Sequence, residues 1–156
     1  MYDQYLDAFE EILVLCTYIM NNDDADRRLF SVSLDEGLLN PLWFVVTHCR
    51  DGRMRHQALD SMQRLPAHEG IWHVEALTRA AQLCVAYEER GKIRGQEYVS
   101  HDQIPEHGRV HCSGFDGQDI SSPKHALKVH MRVRPNGMDG EWEEVEETIL
   151  VSTNPV

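Results

Sequence analysis

The sequence predicts an α+β fold in which a bundle of about four helices precedes a small antiparallel β-hairpin or three-stranded sheet. Apolar residues recur at helical spacing through residues 1–90, and strict alternation of apolar and polar residues begins at Leu127. Residues 91–108 between these patterns are polar and rich in turn residues, which predicts a long crossing loop. We therefore expect a single domain, 1–156, with a helical part, this loop and a β part over 109–151.

The first helix is predicted over residues 2–20. Carboxylates are concentrated toward its N-terminal end, where the helix dipole favours negative charge. Its apolar residues form one broad stripe that consists of Leu6, Phe9, Ile12, Leu13, Cys16, Ile19 and Met20.

Two short helices joined by a tight basic turn are predicted next. Pro41 suits a first helical turn, because its φ is fixed near the helical value and its missing N–H would be unpaired there. Gly52 is expected to interrupt the apolar repeat, since glycine tolerates positive φ, and Pro66 ends the second helix. A longer helix follows over residues 71–89, with Trp72 in its first turn.

Two strands make up the predicted β part, and residues 109–112 are a candidate for a third. On one face of the paired strands, residues of opposite charge lie across from each other. Such pairs stabilise a hairpin by about 0.2–1 kcal/mol each. Glu147 falls on the other face, between apolar positions. A carboxylate there is either solvated at a sheet edge or functional. The charged face consists of Lys128, His130, Arg132, Trp142, Glu144 and Glu146.

The composition argues against several classes of function. A formal net charge of −11 disfavours a nucleic-acid partner, because affinity for phosphates comes mainly from Lys and Arg. No apolar run approaches the length of a membrane span, and the N-terminus resembles neither a signal nor a transit peptide. The four cysteines are widely separated, which is typical of free thiols in a reducing compartment. We expect an intracellular protein, cytoplasmic or, if it is a regulator, nuclear.

No metal or cofactor is expected. His107, His111 and Cys112 form the closest grouping of metal-binding residue types, but their spacing matches no known zinc motif. The glycine-rich phosphate-binding and dinucleotide-binding motifs and the G-x-S-x-G nucleophile elbow are also absent.

Aromatic residues of the helical part are the candidates for a binding surface. Trp43, Phe44 and Trp72 either pack in the core or form the walls of a pocket for an apolar small molecule. His48 and His73 lie beside them and are candidate acids or bases, because histidine titrates near neutral pH. Glu147 is the third candidate.

The basic turn allows two interpretations. Arg50, Asp51 and Arg55 are expected to form a structural network of ion pairs and capping contacts around Gly52, since Arg–carboxylate forks commonly fix such corners. In the alternative interpretation, Arg50 orients a carboxylate-bearing ligand.

Two stretches of the chain carry a family resemblance. Residues 134–149 read R-P-N-G-M-D-G-E-W-E-E-V-E-E-T-I. The other stretch, within 37–72, contains Gly37, Pro41, Leu42, Trp43, Phe44, Val45, Cys49, Arg50, Asp51, Arg55, Ala58, Glu69, Gly70 and Trp72. These two stretches, in the order in which they occur along the chain, resemble the C-terminal part of the regulatory domain of fungal zinc-cluster (Zn2Cys6) transcription factors.

The resemblance implies descent from the ligand-responsive or assembly portion of such a factor. The cluster of six closely spaced cysteines that reads DNA in that family is absent here. A chain with only the packing domain is expected to act by binding a partner or ligand, and a homodimer is one arrangement that the sequence leaves open.

Three hypotheses follow from this resemblance. The first is a stand-alone, cofactor-free cyclase or isomerase, of the pericyclase or Diels–Alderase type, acting on an apolar fungal secondary metabolite by holding a reactive conformer. The bounds of the chain, which run from one helix before the first motif to just after the second, favour this hypothesis over the others. The second is a non-enzymatic regulator that binds a ligand or pairs with a full-length relative through the first helix. The third is a fragment of a longer regulator.

Overall fold

The computed structural model has four helices followed by a three-stranded antiparallel sheet within its described residues, which confirms the predicted α+β fold. It describes residues 2–22, 37–69, 72–116 and 124–152. The helices are α1 (Leu6–Asn22), α2 (Leu39–His48), α3 (Gly52–Met62) and α4 (Val74–Glu88). Two short strands, β1 (His68–Glu69) and β2 (Trp72–His73), pair between α3 and α4, and the larger sheet contains β3 (Val110–Asp116), β4 (Lys124–Val133) and β5 (Glu143–Ser152).

The N-terminus of α2 is capped by a residue that is distant in sequence. The backbone N–H of Leu39 donates to Glu69 Oε2 over 2.7 Å, which places a carboxylate at the positive end of the helix dipole. A Cβ atom on Gly37 would collide with the same carboxylate, so glycine leaves room for this cap. Pro41 lies in the first turn of α2, as predicted.

Gly52 begins α3, and the physical reason for glycine differs from the predicted one. Its φ is not positive. Instead, its N–H donates to the carbonyl of Val99 over 2.8 Å, and a Cβ atom would lie 2.5 Å from that carbonyl oxygen. Asp51 caps the same helix by accepting from the N–H of Met54 over 3.0 Å, in agreement with a capping role.

The loop over 91–108 is anchored to the helices. Val99 and Ile104 are buried, and the loop contains two single turns of 3-10 helix, His101–Gln103 and Glu106–Gly108. At its end, Arg109 donates to the carbonyl of Ile104 over 3.1 Å. These contacts hold the loop against the domain.

The last helix begins later than the sequence predicts. Trp72 and His73 lie in β2, paired with Glu69 and His68, and α4 begins at Val74. His73 is the N-cap residue, because its Nδ1 accepts from the N–H of Ala76 over 3.3 Å. The expectation that Trp72 occupies a first helical turn is therefore wrong, since strand pairing takes up these two residues.

The larger sheet has the strand order β3-β4-β5 and the predicted register between β4 and β5. His130 pairs with Glu146 and Arg132 with Glu144, so the charged residues share one face. Lys128 Nζ lies 3.7 Å from the carboxylate of Glu146 on that face. The alternation of charges thus identified the hairpin correctly.

The core has two layers that share α4. One layer lies between the helices, where Leu42, Val45 and Val46 of α2 are fully buried. The other packs α4 against the sheet and consists of Ala80, Cys84, Val110, Val129, Met131 and Val133. Because α4 lies between the layers, a polar residue on it can contact both parts of the domain.

Replacing Gly52 with alanine is expected to destabilise the domain by about 1–3 kcal/mol, because the new methyl group would overlap the backbone of Val99. Gly91→Ala is the matched control, since a Cβ there meets no atom within 4 Å and the expected change is within about 0.5 kcal/mol. Urea unfolding of both variants measures the difference. Equal stability of the two variants would contradict this account of Gly52.

Candidate functional site

A half-open cleft of about 120 Å³ lies where α2, α3 and α4 meet β3. Its lining combines an aromatic wall, two imidazoles, hydroxyl and thiol groups, and a buried ion pair. The lining residues are Trp43, Thr47, His48, Arg55, Cys84, Glu88, Val110, His111, Cys112 and Ser113.

Glu88 forms the centre of the buried ion pairs at this cleft. Its side chain is fully buried, with Oε2 2.5 Å from Arg55 Nη2 and Oε1 3.1 Å from Arg50 Nη2. The N–H of Val110 also donates to Oε1 over 2.7 Å. One carboxylate thus joins the turn after α2, helices α3 and α4, and strand β3.

The two arginines are held by further backbone contacts. Arg50 donates to the carbonyl of His48 over 2.6 Å and to that of Val110 over 2.8 Å. Arg55 donates through Nε to the carbonyl of Val46 over 3.0 Å. These contacts fit the structural interpretation of Arg50, with Glu88 as the paired carboxylate in place of Asp51.

Glu88 was not predicted as a site residue, although its position in the sequence indicates one. Glu88 continues the buried stripe of α4, in register with Ala81, Cys84 and Val85. A carboxylate on an apolar helix face needs a buried cation, because burial without a partner is strongly unfavourable.

His48 lies at the end of α2 and lines the cleft. Its Nδ1 is 2.9 Å from Thr47 Oγ1 and 3.2 Å from the carbonyl oxygen of Phe44, and its ring stacks on that of Phe44 with centroids 4.4 Å apart. Burial lowers the pKa of His48. The hydrogen bond with the carbonyl of Phe44 opposes this shift, and the nearby charge of Arg50 adds to it. The imidazole is therefore biased toward its neutral form.

His111 is the second imidazole of the cleft, and the sequence analysis did not select it as a site residue. It lies at an irregularity in the pairing of β3 with β4 between Val110 and Cys112, a feature that redirects side chains. Its Nε2 is 3.0 Å from Glu106 Oε1, and burial lowers its pKa despite that carboxylate. A bulge has no clear pattern in a single sequence.

Of the three aromatic candidates, Trp43 alone lines the cleft. Phe44 packs into a cluster with Phe9, Tyr2 and His48, so it belongs mainly to the core. Trp72 is 39% exposed on β2, beyond the cleft lining.

The other two candidate acids or bases lie away from the cleft. His73 caps the N-terminus of α4, whereas Cys84, eleven residues further along, lines the cleft. A helix rises about 1.5 Å per residue, so these positions are about 16 Å apart along the axis. Glu147 is exposed on the edge strand β5, opposite Val129, in agreement with a solvated carboxylate.

The two thiols of the cleft differ in environment. Burial raises the pKa of Cys84 to about 11, so this thiol stays protonated and is a poor nucleophile at neutral pH. Cys112 is exposed at the cleft.

Within the described ranges, no group of three or more His, Cys, Asp or Glu residues could hold a metal ion. In the same ranges, no helix is both long enough and apolar enough to cross a membrane.

About half of the chain is similar to a fungal cluster-specific transcription regulator. It is similar to the aspercryptin biosynthesis cluster-specific transcription regulator atnN of Emericella nidulans, with 37% identity over 83 residues. The alignment covers 51% of this chain and 13% of the relative, so the chain spans a small part of that regulator's length. No protein-family profile and no solved structure matches the chain. Its correspondence to the C-terminal part of a regulatory domain stays a prediction.

The free energy of unfolding is expected to rise as the pH increases from the lowered pKa of His48 to the ordinary histidine pKa of 6.5. In that window the unfolded state binds more protons than the folded state, which gives the slope a positive sign. His111 contributes in the same direction.

Urea unfolding between about pH 5 and about pH 8 measures this slope, because histidine titrates within that range. His48→Gln is expected to reduce the slope and to leave the part due to His111. Stability that falls as the pH rises through 6.5, or an identical slope in the variant, would contradict the assignment.

Proposed function

We propose that this chain is a non-enzymatic regulatory module that controls fungal secondary metabolism by associating with other protein chains. The observation that carries the proposal is its 37% identity over 83 residues with a cluster-specific transcription regulator. A regulator of this kind would act in the nucleus.

The geometry gives the cyclase hypothesis less support than the regulatory one. A cyclase would need its acid and base to converge on one bound substrate. Of the three candidates, His48 lines the cleft, whereas His73 caps the far end of α4 and Glu147 is solvated on β5. Cofactor-free acid–base chemistry would therefore depend on a different set of residues.

The outer face of α1 supports association. Its buried face holds Phe9, Leu13 and Cys16, which pack against the other helices. Its opposite side is also apolar, although a helix at a protein surface usually has a polar outer face. This outer face, which is 46–65% exposed, consists of Val14, Leu15, Tyr18 and Ile19.

Charge favours a second copy of the chain in antiparallel orientation. A parallel pair of α1 helices would bring Glu10 and Glu11 next to the same carboxylates of the partner, and like charges repel. An antiparallel pair centred between Leu15 and Tyr18 instead places Glu11 opposite Asn22. Apolar residues then meet at the centre of the contact.

Tyr18→Glu is expected to convert a dimer into a monomer, because it places a charge in the centre of the proposed apolar contact. Leu150→Glu is the matched control, since Leu150 is equally exposed but lies on β5. Sedimentation velocity over a concentration series measures the mass of wild type and both variants. A wild-type monomer at all concentrations would contradict the pairing.

The non-enzymatic part of the proposal has its own test. Purified chain is incubated with an extract of a fungal culture that lacks it, and mass spectrometry follows the compounds. We expect no compound to change. Conversion of a compound to an isomer of identical mass would contradict the proposal whatever the result for α1.

A further inference from the structure

The buried ion-pair cluster has an excess of one positive charge. Arg50 and Arg55 are 6% and 0% exposed, and Glu88 supplies one carboxylate to both guanidinium groups. Arginine stays protonated at all physiological pH values, so two cations face one anion. An uncompensated charge in a protein interior is unfavourable unless another partner neutralises it.

Two donors of this cluster, Arg50 Nε and Arg55 Nη1, have no acceptor among the described residues. Arg55 Nη2 faces Glu88 and Nε donates to Val46, but Nη1 has no hydrogen-bond partner among the described residues. Arg55 belongs to the lining of the cleft, so a ligand bound there would lie next to this residue. Buried donors in folded proteins are rarely left unpaired, and such a group calls for a specific explanation.

We propose that the cleft binds a small organic carboxylate whose anionic group pairs with Arg55 and whose apolar body lies against Trp43. One carboxylate neutralises one excess charge, whereas a doubly charged phosphate would overcompensate it. The volume of about 120 Å³ limits the ligand to a small molecule.

The remaining lining residues fit this class of ligand. Thr47 and Ser113 line the cleft, and their hydroxyl groups can supply polar contacts to a ligand. His48 and His111 have lowered pKa values, so at neutral pH they add little charge to the site. Selectivity for anions is then due to Arg55, although the chain as a whole is negatively charged.

Benzoate and its neutral isostere benzamide provide the direct test on the wild-type chain. Two-dimensional NMR titration follows the backbone amides, and we expect benzoate to shift those of Val110 and Ser113. Benzamide is expected to bind at least about tenfold more weakly, because it cannot form the charge-assisted hydrogen bond with Arg55. Equal binding of the two compounds, no binding of benzoate, or shifts confined to other surfaces would each overturn the proposal.

Two variants test the residue assignment. Arg55→Lys keeps a cation next to Glu88 but removes the guanidinium fork, so benzoate is expected to bind at least about tenfold more weakly. Cys112→Trp fills the cleft at an exposed position outside the ion-pair cluster and is expected to abolish benzoate binding. Wild-type affinity in folded Cys112→Trp would overturn the proposal even if Arg55→Lys fails to fold. These results do not depend on whether α1 forms dimers.

Discussion

The fold depends on a single buried carboxylate. Glu88 ends α4, where the helix dipole disfavours negative charge, and it is stabilised there by Arg50, Arg55 and the N–H of Val110. These partners come from the turn after α2, from α3 and from β3. The helical layer and the sheet layer therefore meet at one set of charge-assisted contacts, which are stronger than ordinary hydrogen bonds.

The same contacts determine the chemistry of the cleft. Glu88 satisfies only part of the guanidinium of Arg55, and Arg55 lines the same cleft as the aromatic ring of Trp43. A residue that stabilises the fold thus also supplies the proposed ligand contact. The association proposed for α1 involves a different surface, so ligand binding and pairing can be examined separately.

Features with a local period were predictable from the sequence, and long-range pairings were not. The charged face that includes His130 and Glu146 followed from strand alternation. The arginines of the basic turn were recognised as a structural network, but their partner Glu88 lies more than thirty residues away and leaves no local pattern. Trp72 was misplaced in a helix because its strand has only two residues, paired with Glu69 three residues earlier, and so short a strand leaves no alternating pattern. His111 was missed because a bulge directs it to the cleft.

The free energy of unfolding of Glu88→Gln, measured by urea denaturation, tests the central role of this carboxylate most directly. Removing the charge leaves two buried guanidinium groups without their anion, which is expected to cost about 3–5 kcal/mol. Glu75→Gln is the control on the same helix, where loss of the surface ion pair with Arg79 is expected to cost less than about 1 kcal/mol. A loss for Glu88→Gln no larger than that of the control would contradict the account.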